Sequence, residues 1–174
     1  EIIKTDLSKV YDNYVSIIPN DFHNKLSLAN TRARIRMTTL YMVAGGSNGI
    51  VVGTGNKVED FGVGFFTKYG DGGVDISPIA NLMKSEVYEL ADNLNINREI
   101  IDAPPTDGLW DDGRTDEDQL GISYDDLEWA MEFEEKKQSK DCLNDSQKKK
   151  LEIYKKHRLK NIHKMKSIPV FKKH

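Results

Sequence analysis

Apolar residues recur at helical spacing in several segments of this chain. Ser8 stands where an N-cap is expected for the first helix, and Ser123 opens a later helix with a capping pattern. In the second helix, four residues fall on one side at helical spacing, namely Leu28, Ile35, Thr39 and Met42. The spacing predicts helices over residues 8–18, 28–44, 81–95, 98–101 and 144–161.

A short apolar run, residues 50–54, follows the second helix after a glycine-rich stop. Its β-branched residues are consecutive, which is typical of a strand buried on both faces of a parallel sheet. Residues 1–7 alternate weakly and resemble the end of another strand. A helix that leads into a buried strand predicts an α/β fold, in which a parallel sheet carries flanking helices.

Two polar segments lack a helical pattern. Residues 53–75 contain seven glycines, a density that indicates tight turns or a backbone that approaches a ligand closely. Residues 106–121 are polar and rich in acidic residues, and they are predicted to be irregular. Because an irregular loop of that length is unusual in a compact domain, we expect it to be mobile and to act as a lid.

The composition narrows the class of protein. A chain of 174 residues predicts one domain over residues 1–174, with a core of its own. The one cysteine, Cys142, excludes an intrachain disulfide and a cysteine-based zinc site. The apolar runs are too short to cross a bilayer and no signal pattern is present, so we expect a cytoplasmic protein without a membrane partner. Since Glu1 is not a methionine, we also expect upstream sequence to be missing.

Charge is distributed unevenly along the chain. Residues 147–174 hold eleven Lys or Arg and a single acid, Glu152, whereas the remainder holds 14 bases and 27 acids. The basic helix and tail over residues 144–174 either present a solvated face or contact phosphates, and both interpretations are open. The acidic body repels a polyanion, and no aromatic residues are interleaved for stacking on bases, so we expect no nucleic-acid partner.

Thr54 and Glu59 closely follow the predicted strand, at the edge where an open parallel sheet binds ligands. A hydroxyl and a carboxylate there could hold a nucleotide and its magnesium ion, because Mg²⁺ prefers hard oxygen ligands and takes few of them from protein. Alternatively, Thr54 caps a helix and Glu59 is a surface acid. The residues alone leave both interpretations open.

Residues 65–75 combine two phenylalanines, a lysine and two aspartates with glycines. Phe65 and Phe66 could sandwich a flat base or pyridine ring, and the charged side chains nearby could contact its substituents. The alternative is a tight surface turn whose phenylalanines pack into the core.

Two sequence blocks resemble one family. Residues 30–37, Asn-Thr-Arg-Ala-Arg-Ile-Arg-Met, resemble the N-x-x-A-R-x-R-M helix of ammonia-dependent NAD⁺ synthetases, a family of N-type ATP pyrophosphatases. Residues 64–75, Gly-Phe-Phe-Thr-Lys-Tyr-Gly-Asp-Gly-Gly-Val-Asp, are similar to the next block of that family. Shorter matches lie in the family's order at residues 52–54, 59, 82–84, 105–106, 117–124 and 163–164, so the resemblance covers about residues 22–171.

The resemblance implies a role for nine residues. It implies contacts with deamido-NAD⁺ for Arg34, Lys68, Asp75, His163 and Lys164. It implies contacts with ATP for Thr54, Lys84 and Thr106, and a Mg²⁺ ligand at Glu59. The basic residue types suit such partners, because Arg and Lys bind carboxylates and phosphates well. No protein nucleophile is implied, and none is identified in the sequence.

The implied fold is that of the adenine nucleotide α-hydrolases, which is Rossmann-like, and the implied assembly is a homodimer. In the implied reaction, the carboxylate of deamido-NAD⁺ attacks the α-phosphorus of ATP, which forms an adenylate and releases pyrophosphate. Ammonia then displaces AMP and leaves the amide of NAD⁺. Such transfers need positioning and charge neutralisation more than covalent help from protein. Whether free ammonia or glutamine supplies the nitrogen is open.

The chain departs from the family pattern at one motif. The family's S-G-G-x-D-S loop, which grips pyrophosphate and supplies a magnesium-binding aspartate, has no counterpart here. Residues 45–48, Gly-Gly-Ser-Asn, end a helix and precede a strand, which is the reverse of the required order. We therefore expect an N-terminally truncated domain that is inactive by itself. The alternatives are another ATP-pyrophosphatase amidotransferase, such as a GMP synthetase, and a non-catalytic binding or dimerisation fragment.

Overall fold

The structure is a computed structural model that describes residues 2–110 and 112–173. The predicted helices are confirmed, although their ends differ by a few residues and one further helix is present. In chain order they are α1 (Ser8–Ser16), α2 (Lys25–Gly46), α3 (Lys84–Asn93), α4 (Arg98–Ile101), α5 (Asp116–Leu120), α6 (Tyr124–Glu135) and α7 (Asp145–Met165). Shorter helical turns span Asn20–Phe22, Lys57–Val63 and Lys140–Cys142. Among the helices of the described residues, none is long and apolar enough to cross a membrane.

Backbone contacts group the described residues into two compact units. Unit 1 comprises residues 2–53, 66–77 and 108–110, and unit 2 comprises residues 54–65, 78–107 and 112–173. Each unit therefore draws on three separate stretches of the chain. The interpretation of residues 1–174 as a single domain stays a prediction.

Unit 2 is built around an apolar core to which α6, α7 and the helical turn Lys57–Val63 contribute. Leu127 of α6 and Val58 of the turn are completely inaccessible to solvent. The turn begins after Asn56, whose buried side chain accepts hydrogen bonds from the backbone N–H groups of Val58 and Glu59. This cap satisfies donors that a helix start leaves unpaired, and it fixes Glu59 in the first turn.

The inner side of α2, the longest helix of unit 1, carries small residues such as Ala29 and Ala33. Of the four residues that share the other side, Leu28, Ile35 and Thr39 are half-buried, whereas Met42 is 80% exposed. Small side chains let the glycine-rich backbone of residues 66–77 approach, since a Cβ atom on Gly70 would lie only 3.0 Å from the Cβ of Ala33. Close backbone approach, rather than apolar bulk, therefore selects the inner face of α2.

The apolar run after α2 pairs with the end of the glycine-rich segment through one parallel bridge, between Val52 and Ile76. The N–H of Gly53 donates to the carbonyl of Ile76 at 2.7 Å. Val51 is buried, but Ile50 and Val52 are 60% and 52% exposed. Within the described residues, the prediction of a strand buried on both faces is therefore wrong, because only one of its three apolar side chains is covered. The parallel sheet stays a prediction.

The start of the chain also differs from its prediction. Residues 2–7 form no strand, and the part of that prediction that concerns Glu1 lies outside the described residues. Ser8 is the first residue of α1 rather than its cap, which is Leu7. The Ser8 hydroxyl instead donates to the carboxylate of Asp6 at 2.7 Å, so a local side-chain contact orders the entry to the helix.

The prediction that residues 106–121 are irregular throughout is wrong, because α5 occupies Asp116–Leu120. Thr115 and Asp118 form a capping box at its start, in which each side chain accepts the backbone N–H of the other residue. Two otherwise unpaired donors are thereby satisfied, which explains why so short a helix forms here. The mobility of the rest of the loop stays a prediction.

Candidate functional site

Four side chains from distant parts of the sequence lie together in unit 2. The Nζ atom of Lys84 lies 2.9 Å from Oε1 of Glu59, and the hydroxyl of Tyr124 donates to the same oxygen at 2.5 Å. The Tyr124 hydroxyl also lies 3.2 Å from Oδ2 of Asp116. The ammonium of Lys84 lies 4.8 Å from the centre of the Tyr124 ring, within range of a cation–π contact. These four residues are called the carboxylate cluster.

Helix starts position every member of the carboxylate cluster. Lys84, Asp116 and Tyr124 are the first residues of α3, α5 and α6, and Glu59 lies in the first turn after its capped start. A lysine at a helix N-terminus is unfavourably placed relative to the helix dipole. The ion pair with Glu59 compensates for that position.

Burial shifts the pKa of two members of the carboxylate cluster, Asp116 and Tyr124. Burial and the neighbouring charge of Glu59 raise the pKa of the Asp116 carboxyl above its ordinary value. Burial and Glu59 also raise the pKa of Tyr124, so its hydroxyl keeps its proton at neutral pH. One hydroxyl carries one proton, and the shorter contact is the one to Glu59. Within the described residues, the buried Oδ1 atom of Asp116 has no hydrogen-bond partner.

This donor set fits a divalent cation. Within the described part of the chain, no group of three or more His, Cys, Asp or Glu side chains is arranged to hold a metal. Mg²⁺ is usually held by only one or two carboxylates together with phosphates and water, so a larger group is not required. Glu59 offers a carboxylate that already attracts a cation, Lys84, and the buried oxygen of Asp116 lacks a partner.

The two threonines with expected ATP contacts also belong to unit 2. The hydroxyl of Thr106 donates to the backbone carbonyl of Arg114 at 3.3 Å, which ties the start of the loop to its later part. Thr54 is exposed and precedes the capped turn that carries Glu59. The turn is capped by Asn56, so the alternative in which Thr54 caps a helix is wrong. The ATP contacts of both threonines stay predictions.

In unit 1, one side of α2 holds the glycine-rich segment in place. The hydroxyl of Thr67, which is buried, donates to the side-chain oxygen of Asn30 at 2.7 Å. The Nε group of Arg34 donates to the backbone carbonyl of Lys68 at 3.2 Å. The structure therefore brings together Arg34 and Lys68, two of the residues with expected deamido-NAD⁺ contacts.

The same side of α2 also contacts Asp75, another residue with an expected deamido-NAD⁺ contact. The hydroxyl of Tyr41 donates to Oδ1 of Asp75 at 3.1 Å, and the N–H of Val51 donates to Oδ2 of Asp75 at 2.8 Å. Asn30, Arg34 and Tyr41 are spaced so that they share one face of the helix, and they are called the α2 stripe. Asp75 therefore has a structural role, and its role toward a dinucleotide stays a prediction.

The last two expected contacts lie at the end of α7, in unit 2. Lys164 donates from Nζ to the carbonyl of Gly64 at 3.0 Å, while His163 is exposed. Gly64 has a φ of 63°, and a Cβ atom there would lie 2.7 Å from the Cβ of Asn161, so only glycine fits. The basic helix thus has a packing role in addition to any contact with phosphates.

Several residues that the structure places beside the predicted ones were given no site role from the sequence. Asp116 and Tyr124 complete the carboxylate cluster, and Asn30 and Tyr41 complete the α2 stripe. A polar stripe at helical spacing was present in α2, but polar positions are usually read as the solvated face.

Paired carboxylates beside a lysine, and a helix that orders a glycine-rich segment, are features expected of a nucleotide-binding protein. The comparison with known families agrees, because residues 1–169 match the model of the NAD synthase family. The chain belongs to this family. The resemblance inferred from the motifs is confirmed, and the alternative of a GMP synthetase is set aside.

Curated relatives carry the same name. The NH(3)-dependent NAD(+) synthetase of Carboxydothermus hydrogenoformans is 46% identical over 129 residues, which are 72% of this chain and 52% of that protein. The NH(3)-dependent NAD(+) synthetase of Alkaliphilus oremlandii is 44% identical over 142 residues, 76% of this chain and 56% of that protein. The chain therefore spans about half the length of the curated relatives it matches.

Solved structures define the fold. An NMN synthetase from Francisella tularensis matches with a TM-score of 0.81 and 34% identity, over 97% of this chain and 65% of that one. An NH3-dependent NAD synthetase from Campylobacter jejuni matches with a TM-score of 0.74 and 28% identity, over 96% of this chain and 64% of that one. The fold of this chain is that of the NAD and NMN synthetases, in agreement with the expected adenine nucleotide α-hydrolase class.

Proposed function

We propose that the full-length protein containing this chain makes NAD⁺ by ATP-dependent amidation of deamido-NAD⁺, with AMP and pyrophosphate as the other products. The observation that carries the proposal is the family match over residues 1–169. The geometry supports it, because the block that contains Lys68 is held along the α2 stripe and the carboxylate cluster fits a cation.

In the first step, a carboxylate oxygen of deamido-NAD⁺ forms a bond to the α-phosphorus of ATP, and the bond to pyrophosphate breaks. Arg34 and Lys68 bind the negative charges of the dinucleotide, and Asp75 orients it. Lys84 turns from Glu59 to the ATP phosphates, and Thr54 and Thr106 position the nucleotide. Each of these residues acts by binding and charge neutralisation, which suffices for nucleotidyl transfer.

We also propose that the reaction uses Mg²⁺ and that Glu59 is one of its ligands. The ion supplies charge neutralisation at the phosphate oxygens when it is bound. On the protein side, the hydroxyl of Tyr124 orients the Glu59 carboxylate, and the Asn56 side chain holds the backbone N–H of Glu59. A carboxylate fixed in this way loses little conformational freedom when a cation binds.

In the second step, ammonia attacks the carbonyl carbon of the adenylate, and AMP leaves with the bonding electrons. No protein nucleophile takes part. An acyl adenylate hydrolyses readily, so the site must exclude water while the intermediate exists. The polar part of residues 106–121 is proposed as the lid that does so, and His163 with Lys164 adds a late contact with the dinucleotide.

The proposal extends to the assembly and location of the protein. A homodimer in the cytoplasm, without nucleic-acid or membrane partners, fits a biosynthetic enzyme that acts on small soluble substrates. The parallel bridge between Val52 and Ile76 is proposed as part of the parallel sheet expected for this fold. Sedimentation of the full-length protein at several concentrations tests the dimer.

The experiment that tests the function is an assay of the full-length protein with ATP, Mg²⁺, ammonium and deamido-NAD⁺. We expect NAD⁺, AMP and pyrophosphate in equal amounts, and no NAD⁺ when ATP is omitted. Glu59→Gln should lower the rate of NAD⁺ formation by roughly tenfold or more. The control is Asp125→Asn, at an exposed acid that follows Tyr124 in the sequence, and it should leave that rate unchanged. A wild-type protein that consumes ATP without forming NAD⁺ would contradict the proposal.

A second candidate follows from the similarity to the Francisella tularensis NMN synthetase, whose TM-score and identity exceed those of the NAD synthetase structure. In this case the acceptor is a mononucleotide rather than a dinucleotide. The ratio of kcat/KM for deamido-NAD⁺ to that for nicotinic acid mononucleotide decides between them. A ratio above one supports the first candidate, and a ratio well below one supports the second.

A further inference from the structure

We infer that Asp116 is a further protein ligand, beside Glu59, for the divalent cation that accompanies ATP. This inference rests on the proposed function and adds a residue to which no sequence motif assigned a role. Three independent observations within unit 2 carry it: the proximity of the two carboxylates, the unpaired oxygen of Asp116, and the contact between the start of α5 and the start of the loop.

The two carboxylates converge on one atom. The hydroxyl of Tyr124 lies 2.5 Å from Oε1 of Glu59 and 3.2 Å from Oδ2 of Asp116. Their nearest oxygens can be no farther apart than the sum of these two distances. Like charges this close repel, and the single proton of the hydroxyl cannot satisfy both groups. A divalent cation between carboxylate oxygens removes the repulsion.

One carboxylate oxygen of Asp116 lacks a hydrogen-bond partner among the described residues. The residue is 8% exposed, and its Oδ1 atom is buried without a hydrogen-bond partner among the described residues. A buried carboxylate oxygen without a partner costs free energy, so such an atom needs a reason to be retained. Coordination of a hard cation supplies one, because carboxylate oxygens are the ligands that Mg²⁺ prefers.

The ion pair of Lys84 shows that the Glu59 side of the cluster already binds positive charge. Lys84 occupies the place beside Glu59 at 2.9 Å, with both side chains less than one-fifth exposed. Lys84 is also a proposed contact of the ATP phosphates. When its ammonium turns to the phosphates, Glu59 loses its cationic partner, and a metal ion that arrives with ATP replaces it.

The backbone links Asp116 to the proposed lid. The N–H of Asp116 donates to the carbonyl of Pro105 at 3.1 Å, so the start of α5 is fastened to the residue just before Thr106. The two ends of the intervening loop are therefore held together at the carboxylate cluster. Asp116 follows the last residue of this loop, and its backbone contacts the residue just before the first one. A cation bound to Asp116 therefore also orders the loop.

The test is a titration of the full-length protein with Mn²⁺ in the presence of ATP, followed by electron paramagnetic resonance of the free ion. Asp116→Asn keeps the size of the side chain and its contact with Tyr124 but removes the charge. We expect its Kd for Mn²⁺ to rise by roughly tenfold or more. Asp125→Asn removes an equal charge from the exposed second position of α6 and should change the Kd less than twofold. An unchanged Kd in Asp116→Asn would overturn the inference.

A second measurement needs no variant. Anomalous diffraction from crystals of the wild-type protein soaked with Mn²⁺ and ATP locates the ion. Density within about 2.5 Å of both carboxylates supports the inference, and density beside Glu59 alone overturns it. Formation of NAD⁺ by a wild-type protein whose ion avoids Asp116 overturns this inference only, whereas absence of NAD⁺ formation overturns the proposed function.

Discussion

Unit 2 and unit 1 are stabilised in different ways. In the described residues, thirteen buried apolar residues form the core of unit 2, whereas the apolar cluster of unit 1 contains three. Unit 1 relies instead on hydrogen bonds from α2, which reach the glycine-rich segment and, through Arg32 and Arg36, the carbonyls of Leu109 and Gly108. The proposed binding residues of unit 2 are therefore held in place by an apolar core, and those of unit 1 are held by hydrogen bonds.

The difference predicts which substitutions each unit tolerates. A buried apolar side chain typically contributes 2–5 kcal/mol when it is compared with alanine, whereas a hydrogen bond contributes about 1 kcal/mol. Unit 2 should therefore be sensitive at its core and tolerant at its surface. Unit 1 should be sensitive at polar positions that a pattern of apolar residues would not identify.

The largest effect is expected in the core of unit 2. Leu127→Ala should lower the free energy of unfolding of the full-length protein by about 3 kcal/mol, because the side chain is completely buried and its removal leaves a cavity. Leu40→Ala, at a position that is 55% exposed in unit 1, should cost less than about 0.5 kcal/mol. Urea denaturation measures both, and equal costs would remove the contrast between the units.

The next effect concerns the α2 stripe. Thr67→Val keeps the shape of the side chain but removes the buried hydrogen bond to Asn30, so it should cost about 2 kcal/mol. Thr38→Val is the matched control, because the hydroxyl of Thr38 is exposed and bonds only to its own helix. If the two variants unfold at the same urea concentration, polar contacts do not stabilise unit 1 in the way inferred here.

A smaller effect concerns binding rather than stability. Lys68→Ala should reduce kcat/KM for deamido-NAD⁺ by roughly tenfold, or about 1.4 kcal/mol. Its backbone carbonyl remains available to Arg34, so the segment should stay in place. Lys25→Ala, at an exposed lysine of the same unit, is the control. A folded Lys68→Ala protein with unchanged kinetics would remove Lys68 from the acceptor site.

The loop of residues 106–121 contributes to both units, and proteolysis tests whether it closes. Arg114 is its only trypsin site. Cleavage after Arg114 in the full-length protein should be several-fold slower with ATP and deamido-NAD⁺ bound, because a closed lid is protected. Mass spectrometry of the fragments measures the rate. Equal rates with and without substrates would argue against a lid.

The smallest expected effect is a change in the pKa of Asp112, which lies in this loop. Hydrogen bonds from the guanidinium of Arg114 lower the pKa of Asp112 from 3.8 to about 2. A lowered pKa means that the contact is fully present above pH 3.8 and is lost as the pH falls through about 2. Arg114→Gln should return the pKa of Asp112 toward 3.8, as carboxyl NMR of the full-length protein would show. An unchanged pKa would show that the pair does not form in solution.

The sequence by itself determined the family and every helix except α5. The N-cap of α6 at Ser123 and the short helix α4 followed from local signals, whose partners lie within one or two turns. The motif around Lys68 sufficed to identify the NAD synthase family. Such features are local in the chain, so a single sequence contains all the information that they require.

Only the tertiary structure decided which residues meet. Tyr124 contacts Glu59 across 65 positions of sequence, and no local pattern links the two. In α2 the large apolar side chain of Met42 is exposed, whereas the small Ala33 is buried against the close backbone at Gly70. Packing between distant segments depends on shape and on hydrogen bonds that form after the chain has folded, and neither is encoded in the periodicity of one segment.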